Sequence, residues 1–158
     1  MASFRSSGDN SSPGASGIAR RPDSGRQVRI RVLIAMSSGL ERMAWGLIVH
    51  SQRDMQLVAE VSSCREALGL LRKHPSDVTL IDESMLTAND YDALLEYAAQ
   101  PLSSRFVLVA PHLAEFPLEQ SKYSFMHAYL LKGVPADELL NAIRRTACVY
   151  SVDSGVNN

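Results

Sequence analysis

The chain has 158 residues, 46% of them apolar and 21% charged, with a formal net charge of −1. That length suffices for one domain with its own core, and no apolar run is long enough to cross a bilayer. Through Arg31 six arginines face only Asp9 and Asp23, a net of +4, so the remainder carries −5. An acidic globule argues against direct nucleic-acid binding.

Residues 1–27 are rich in Ser, Gly, Pro and Arg and hold few large apolar side chains. Such a segment buries too little surface to offset its ordering entropy, so it reads as a disordered extension. A targeting peptide is the alternative, and Asp9 and Asp23 weigh against it. The N-terminus lacks the apolar core of a secretory signal. The expected location is cytoplasmic, with no membrane contact.

From Arg29 onward short apolar runs alternate with stretches of helical period. Ile30–Ala35 reads as a strand. Ser38 or Ser37 caps the helix that follows, on which Leu40, Met43, Ala44, Leu47 and Ile48 fall at helical spacing. Met55–Glu60 is a second strand. Ser63 caps a second helix with Ala67, Leu68 and Leu71 inward, ending near His74-Pro75. Val78–Ile81 is the third strand, closed by Asp82. A third helix runs from Tyr91 to Ala99, stopped before Pro101, and Phe106–Val109 is the fourth strand. The region Pro111–Ser124 suggests one short helix near Pro117. Met126–Leu131 is the fifth strand, followed by Lys132. Pro135 opens the final helix, where Leu139, Leu140, Ile143 and Ala147 repeat, and residues 150–158 read as a flexible tail. Five apolar strands alternating with helices predict an α/β domain over residues 28–149, a doubly wound parallel sheet covered on both faces. Asp82 and Lys132, at the carboxyl ends of two strands, then share the crevice where such sheets place their sites.

Other candidates are weaker. Cys64 and Cys148 have no Cys-x-x-Cys partner and read as reduced thiols, although the helix start at Cys64 favours a modestly lowered thiol pKa. His50, His74, His112 and His127 lack metal-ligand spacing. Trp45 is expected to be partly buried. Ser37-Ser38-Gly39 reads as a helix cap, without the glycine fingerprint of a nucleotide loop. No nucleophile elbow or triad occurs.

A set of segments in order carries a resemblance. They are Arg31-Val32-Leu33-Ile34, Val58-Ala59-Glu60, Glu66-Ala67-Leu68, Asp77-Val78-Thr79-Leu80-Ile81-Asp82, Tyr129-Leu130-Leu131-Lys132 and Asp137 to Arg144. The stretch from about Arg29 to Ala147 resembles a response-regulator receiver domain of the CheY-like fold. It is most similar to the NarL/LuxR-type subgroup, whose members usually continue into a helix-turn-helix DNA-binding domain. The resemblance implies a flavodoxin-like (βα)5 sheet of strand order 2-1-3-4-5. It matches the family's phosphoacceptor to Asp82, its lysine to Lys132 and its switch aromatic to Tyr129. The acidic pair falls on Met36 and Ser37, the hydroxyl position on Ala110 and a proline on Leu86, so those features are absent and the receiver reads as degenerate.

These losses bear on chemistry. Receiver phosphorylation resembles metal-assisted phosphoryl transfer, and Mg²⁺ asks for near-octahedral oxygen ligands. Asp82 is the one obvious carboxylate in the crevice, since Glu83 alternates away, so Mg²⁺ affinity is expected to be weak and no cofactor is expected. Lys132 becomes the partner of Asp82, worth roughly 4 kcal/mol gross at 4 Å and an effective dielectric of about 20, most of it offset by desolvation.

Three readings follow. The first is a pseudo-receiver, a non-enzymatic and phosphorylation-independent interaction or dimerisation module. By analogy it uses the face of the fourth predicted helix, the fifth strand and the final helix, and it regulates transcription through a partner. The second is a working phosphorelay receiver on Asp82, or the receiver fragment of a DNA-binding regulator. The third is an enzyme using Asp82 and Lys132, which requires a deep polar pocket around them. The sequence favours the first.

Overall fold

In the computed structural model, residues 28–112 and 121–153 are described. The expected disordered extension, residues 1–27, and the core of the expected fourth helix lie outside them. Strands β1 (Ile30–Ala35), β2 (Met55–Val61), β3 (Val78–Asp82), β4 (Arg105–Ala110) and β5 (Met126–Leu131) alternate with helices α1 (Gly39–His50), α2 (Cys64–Lys73), α3 (Ala88–Ala98) and α4 (Ala136–Asp153). The strands form one parallel sheet in the order β2-β1-β3-β4-β5. This is the expected architecture with four α-helices described.

Side-chain alternation divides the core in two. Val32, Ile34, Val78, Leu80, Val107 and Val109 face α1 and α4, where they meet Trp45, Val49, Leu139 and Ile143. Leu33, Ala35, Ile81, Phe106 and Leu108 face α2 and α3, where they meet Ala67, Leu71, Leu94 and Tyr97. Both sheet faces are covered, which is why these strands read as continuous apolar runs. The buried hydroxyls are satisfied within the fold: Thr79 Oγ1 lies 2.7 Å from Ser104 Oγ, and the Ser104 N–H donates to Tyr97 Oη at 3.0 Å.

Local chemistry sets the element ends. Ser38 and Ser63 cap α1 and α2 by accepting the N–H groups of Glu41 and Glu66. Helix α3 begins at Ala88 and not at the expected Tyr91, because Thr87 and Asp90 form a reciprocal capping box. Helix α4 runs to Asp153, past the expected start of a loose tail at about residue 150. Ser121–Tyr123 forms a 3-10 turn ahead of β5.

Helix α1 turns most of its regularly spaced apolar residues outward. Trp45, Gly46 and Val49 are the buried positions, whereas Leu40, Met43 and Leu47 are 78%, 56% and 65% exposed and Ala44 is exposed beside them. Gly46 is buried against the end of the Glu60 side chain: a Cβ there would lie 1.6 Å from Glu60 Oε1, so a larger residue would push that exposed carboxylate aside. A second local oddity follows α3. Leu102 adopts φ +60° with its side chain 81% exposed, a conformation that costs a residue bearing a Cβ about 1–2 kcal/mol.

Candidate functional site

The sheet register gathers the predicted residues at its carboxyl edge. Ala35 pairs with Ile81, Asp82 with Val109 and Ala110 with Leu131. The next residue of β1 and the last of β3 therefore open the same crevice, and the Lys132 N–H donates to the Ala110 carbonyl at 2.9 Å.

The Asp82 side chain is 0% exposed and both its oxygens are engaged. Oδ1 accepts the Ser84 N–H at 2.9 Å and the Ser84 hydroxyl at 2.7 Å. Oδ2 accepts the Lys132 ammonium at 3.0 Å and the Ser37 hydroxyl at 3.4 Å. Burial pushes the Asp82 carboxyl up, but the bonds from Ser84 and Lys132 outweigh it and hold the group below its ordinary value. Burial likewise pulls the Lys132 ammonium down, and the hydrogen bond to Asp82 and the charges of Asp82 and Glu41 leave it raised.

Two members of this cluster are not among the residues picked from sequence. Glu41, in the first turn of α1, brings Oε2 to 3.6 Å from the Lys132 ammonium, so Asp82 is not the only carboxylate at the crevice. Its sequence signal is its position three residues after the cap Ser38. Ser84 wraps back from the 3-10 turn Glu83–Met85 that follows β3; its signal is the Asp-x-Ser spacing of an Asx-type turn.

The remaining positions separate. Met36 is 0% exposed and belongs to the apolar core beneath α1, so of the two positions matched to an acidic pair only Ser37 reaches Asp82. The Met36 carbonyl instead accepts the Arg42 guanidinium at 2.6 Å. Glu83 points away from Asp82 and accepts the Tyr123 hydroxyl at 3.3 Å. Ala110 is buried and has no hydroxyl to offer. Tyr129 is half-buried and its hydroxyl donates to the His112 carbonyl, tying β5 to the loop after β4. The Leu86 N–H donates to the Glu83 carbonyl at 3.0 Å, a bond that proline at this position would forgo.

A Mg²⁺-type ion does not fit these donors. It would have to displace the Lys132 ammonium from Asp82, the first strand offers it one serine hydroxyl, and the second carboxylate, Glu41, already faces Lys132. Among the described residues no group of three or more His, Cys, Asp or Glu side chains is gathered to hold a metal. Among the described residues a cleft of about 470 Å³ lies at the opposite edge of the sheet and is lined by neither Asp82 nor Lys132.

The expectation for Cys64 is reversed. The thiol is 2% exposed, and burial, together with the charge and hydrogen bonding of Asp90, pushes its pKa up to about 12. Desolvation outweighs the helix terminus there. Cys148 is exposed. Trp45 is buried in the α1 core, and His127 Nδ1 accepts the Phe106 N–H at 3.1 Å. Among the described residues no helix is long and apolar enough to cross a membrane.

No family model matches the chain. The transcriptional regulatory protein YxjL of Bacillus subtilis is 26% identical over 123 residues, covering 75% of this chain and 55% of that protein. A nitrate/nitrite response regulator homologue of Haemophilus influenzae is 26% identical over 121 residues, covering 77% of this chain and 58% of that protein. The chain thus spans little more than half the length of these relatives. Among solved structures, the response-regulator domain of Thermotoga maritima CheB superposes with a TM-score of 0.64 at 24% identity, over 76% of this chain and 97% of that one. The receiver domain of the Mycobacterium tuberculosis NarL response regulator gives 0.62 at 22% identity, over 77% and 98%. The chain is a homologue of NarL-type response regulators and carries their CheY-like receiver fold.

Proposed function

We propose that this receiver-type domain acts in signal transduction as a phosphorylation-independent interaction or dimerisation module, not as an enzyme, and influences transcription through a protein partner. The observation that carries this reading is the state of Asp82: a fully buried carboxylate with four hydrogen bonds. Attack on a phosphodonor requires an accessible, in-line oxygen and neutralisation of the transferring group. Here both oxygens are occupied, and the nearest cation is a lysine that already balances the charge. Weak or absent Mg²⁺ binding belongs to the same proposal. So does a static Tyr129: its hydroxyl is tied to the His112 carbonyl, and position 110 carries no hydroxyl to report a change at Asp82.

The surface supports contact with another protein. Leu40, Met43, Ala44 and Leu47 form an exposed stripe at helical spacing on α1, the pattern that a partner helix buries. The face expected by analogy comprises β5, α4 (the fifth helix in the family's count) and the segment between β4 and β5. Residues 113–120 of that segment lie outside the described residues, so α1 adds a second contact surface to test.

The test is exposure of the purified chain to acetyl phosphate and to beryllofluoride, each with and without Mg²⁺, followed by intact mass and self-association by sedimentation. The expected result is no mass increase and no Mg²⁺-dependent change. An acyl-phosphate on Asp82, or an Mg²⁺-dependent beryllofluoride response, supports a working phosphorelay receiver instead.

A further inference from the structure

Among the described residues, α1 is the one helix whose exposed positions include no Asp, Glu, Lys or Arg. Those positions are Gly39, Leu40, Met43, Ala44, Leu47 and His50. Its two charged side chains turn to their own fold, Glu41 toward Lys132 at 3.6 Å and Arg42 to the Met36 carbonyl at 2.6 Å. The other helices expose charge, with Arg65 and Glu66 on α2, Asp92 and Glu96 on α3, and Asp137 and Glu138 on α4. The solvent face of a helix is ordinarily its charged face, so an apolar ridge left there marks a contact surface. The ridge is also a palindrome. Leu40 and Leu47 stand equally far from the midpoint between Met43 and Ala44, so its spacing reads the same in both directions.

We infer that this ridge is a contact between two copies of the chain, the two α1 helices packing antiparallel about a two-fold axis at Met43 and Ala44. This deepens the interaction reading above, and rests on it, by naming the partner. In that arrangement Leu40 meets the partner's Leu47, and Met43 meets the partner's Ala44, large against small. A two-fold contact sets residues near the axis beside their own symmetry mates, so a charge there would repel itself, and the ridge has none. Charge also selects the face. The chain beyond Arg31 carries −5, so two copies repel over much of their surface and meet where charge is missing. Area sets the strength. At 78%, 56% and 65% exposure, Leu40, Met43 and Leu47 present on the order of 400 Å² per copy, about half of the ~800 Å² that a standard interface takes from each partner. The dimer is therefore weak and reversible, with a Kd of about 10–100 µM.

The experiment is sedimentation equilibrium of the full chain, without phosphodonor, from about 5 µM to about 1 mM. The average mass is expected to climb from 17.3 kDa toward twice that value, and added salt is expected not to weaken association. Met43→Glu and Met43→Lys, at an exposed position, are each expected to weaken association at least about tenfold with an unchanged melting temperature. Their equimolar mixture is expected to restore it, because opposite charges then face each other near the axis. In a Cys148→Ser background, Met43→Cys is expected to form an intermolecular disulfide at least about tenfold faster than Asn141→Cys on the exposed face of α4. A chain that stays monomeric at about 1 mM overturns the inference, including the case in which a different protein takes the ridge. So does association indifferent to both Met43 substitutions, a mixture that stays dissociated, or faster cross-linking at position 141. A monomeric chain that also ignores beryllofluoride and Mg²⁺ overturns the α1 contact alone and leaves the phosphorylation-independent reading standing. Association through the ridge that requires beryllofluoride and Mg²⁺ supports the contact and overturns that reading.

Discussion

Strand β3 has an aspartate at each end, and the two live in different dielectric worlds. Asp77 precedes the strand, is 38% exposed and forms a fork with Arg31, Oδ1 to the terminal nitrogen at 3.0 Å and Oδ2 to Nε at 3.2 Å. Asp82 ends the strand, is 0% exposed and meets Lys132 at 3.0 Å. The contact distances match, but the consequences do not. A half-exposed pair is screened and contributes little. A buried carboxylate that loses its cation keeps its desolvation cost and has nothing to offset it. The Arg31 pair therefore tidies an edge, while the Lys132 pair is a condition for Asp82 being charged where it is.

Removing each cation is the most direct way to break that comparison. Lys132→Met should cost about 3 kcal/mol in urea unfolding, the low end for a broken buried pair because Ser84 still serves Oδ1. Asp82→Asn keeps the shape and most hydrogen bonds, and should cost about 1–2 kcal/mol; a gain in stability would show that the pair is a net burden. At the other end Arg31→Gln should cost about 0.5 kcal/mol and should matter less in high salt. If the two cation removals cost the same, burial is not what distinguishes the edges.

Acidity sharpens the contrast. The Asp82 carboxyl is held below its ordinary value, so its share of stability is complete above about pH 4 and is lost as pH falls through the lowered folded value. The raised Lys132 ammonium gives a share that is complete at and below about pH 10 and is lost as pH rises through the folded value. The stability difference between the native chain and Asp82→Asn, followed by urea midpoints, should be flat near neutrality and should shrink below about pH 4. The smallest effect concerns the thiols. At about pH 8 one cysteine, Cys148, should react rapidly in the native state and both should react in denaturant; a fast second thiol would contradict the buried, raised Cys64.

Much of this was legible in the sequence where two signals coincided. Apolar runs fixed the five strands, and the polar residues that end two of them, Asp82 and Lys132, had to meet once the sheet was parallel. Glu41 and Ser84 escaped because neither lies on a strand: each returns to the crevice through a helix turn or a 3-10 turn, whose direction no strand periodicity encodes. The inward face of α1 was not legible for a related reason. Its outward residues, Leu40, Met43, Ala44 and Leu47, are as apolar and as regular as its inward Trp45 and Val49. Period alone reports that a stripe exists, and the packing of Trp45 and Val49 into the core shows which stripe turns inward. Met36 shows the converse, since a residue matched by position to a metal ligand is drawn into the core by its own apolarity.

The seating of α1 has a mechanical corollary. Trp45 and Val49 root the helix in the core beneath it, while Leu40, Met43 and Leu47 stand on its far side. A protein landing on that ridge would meet a helix anchored from below, so shaving the ridge residues should alter docking without loosening the anchor.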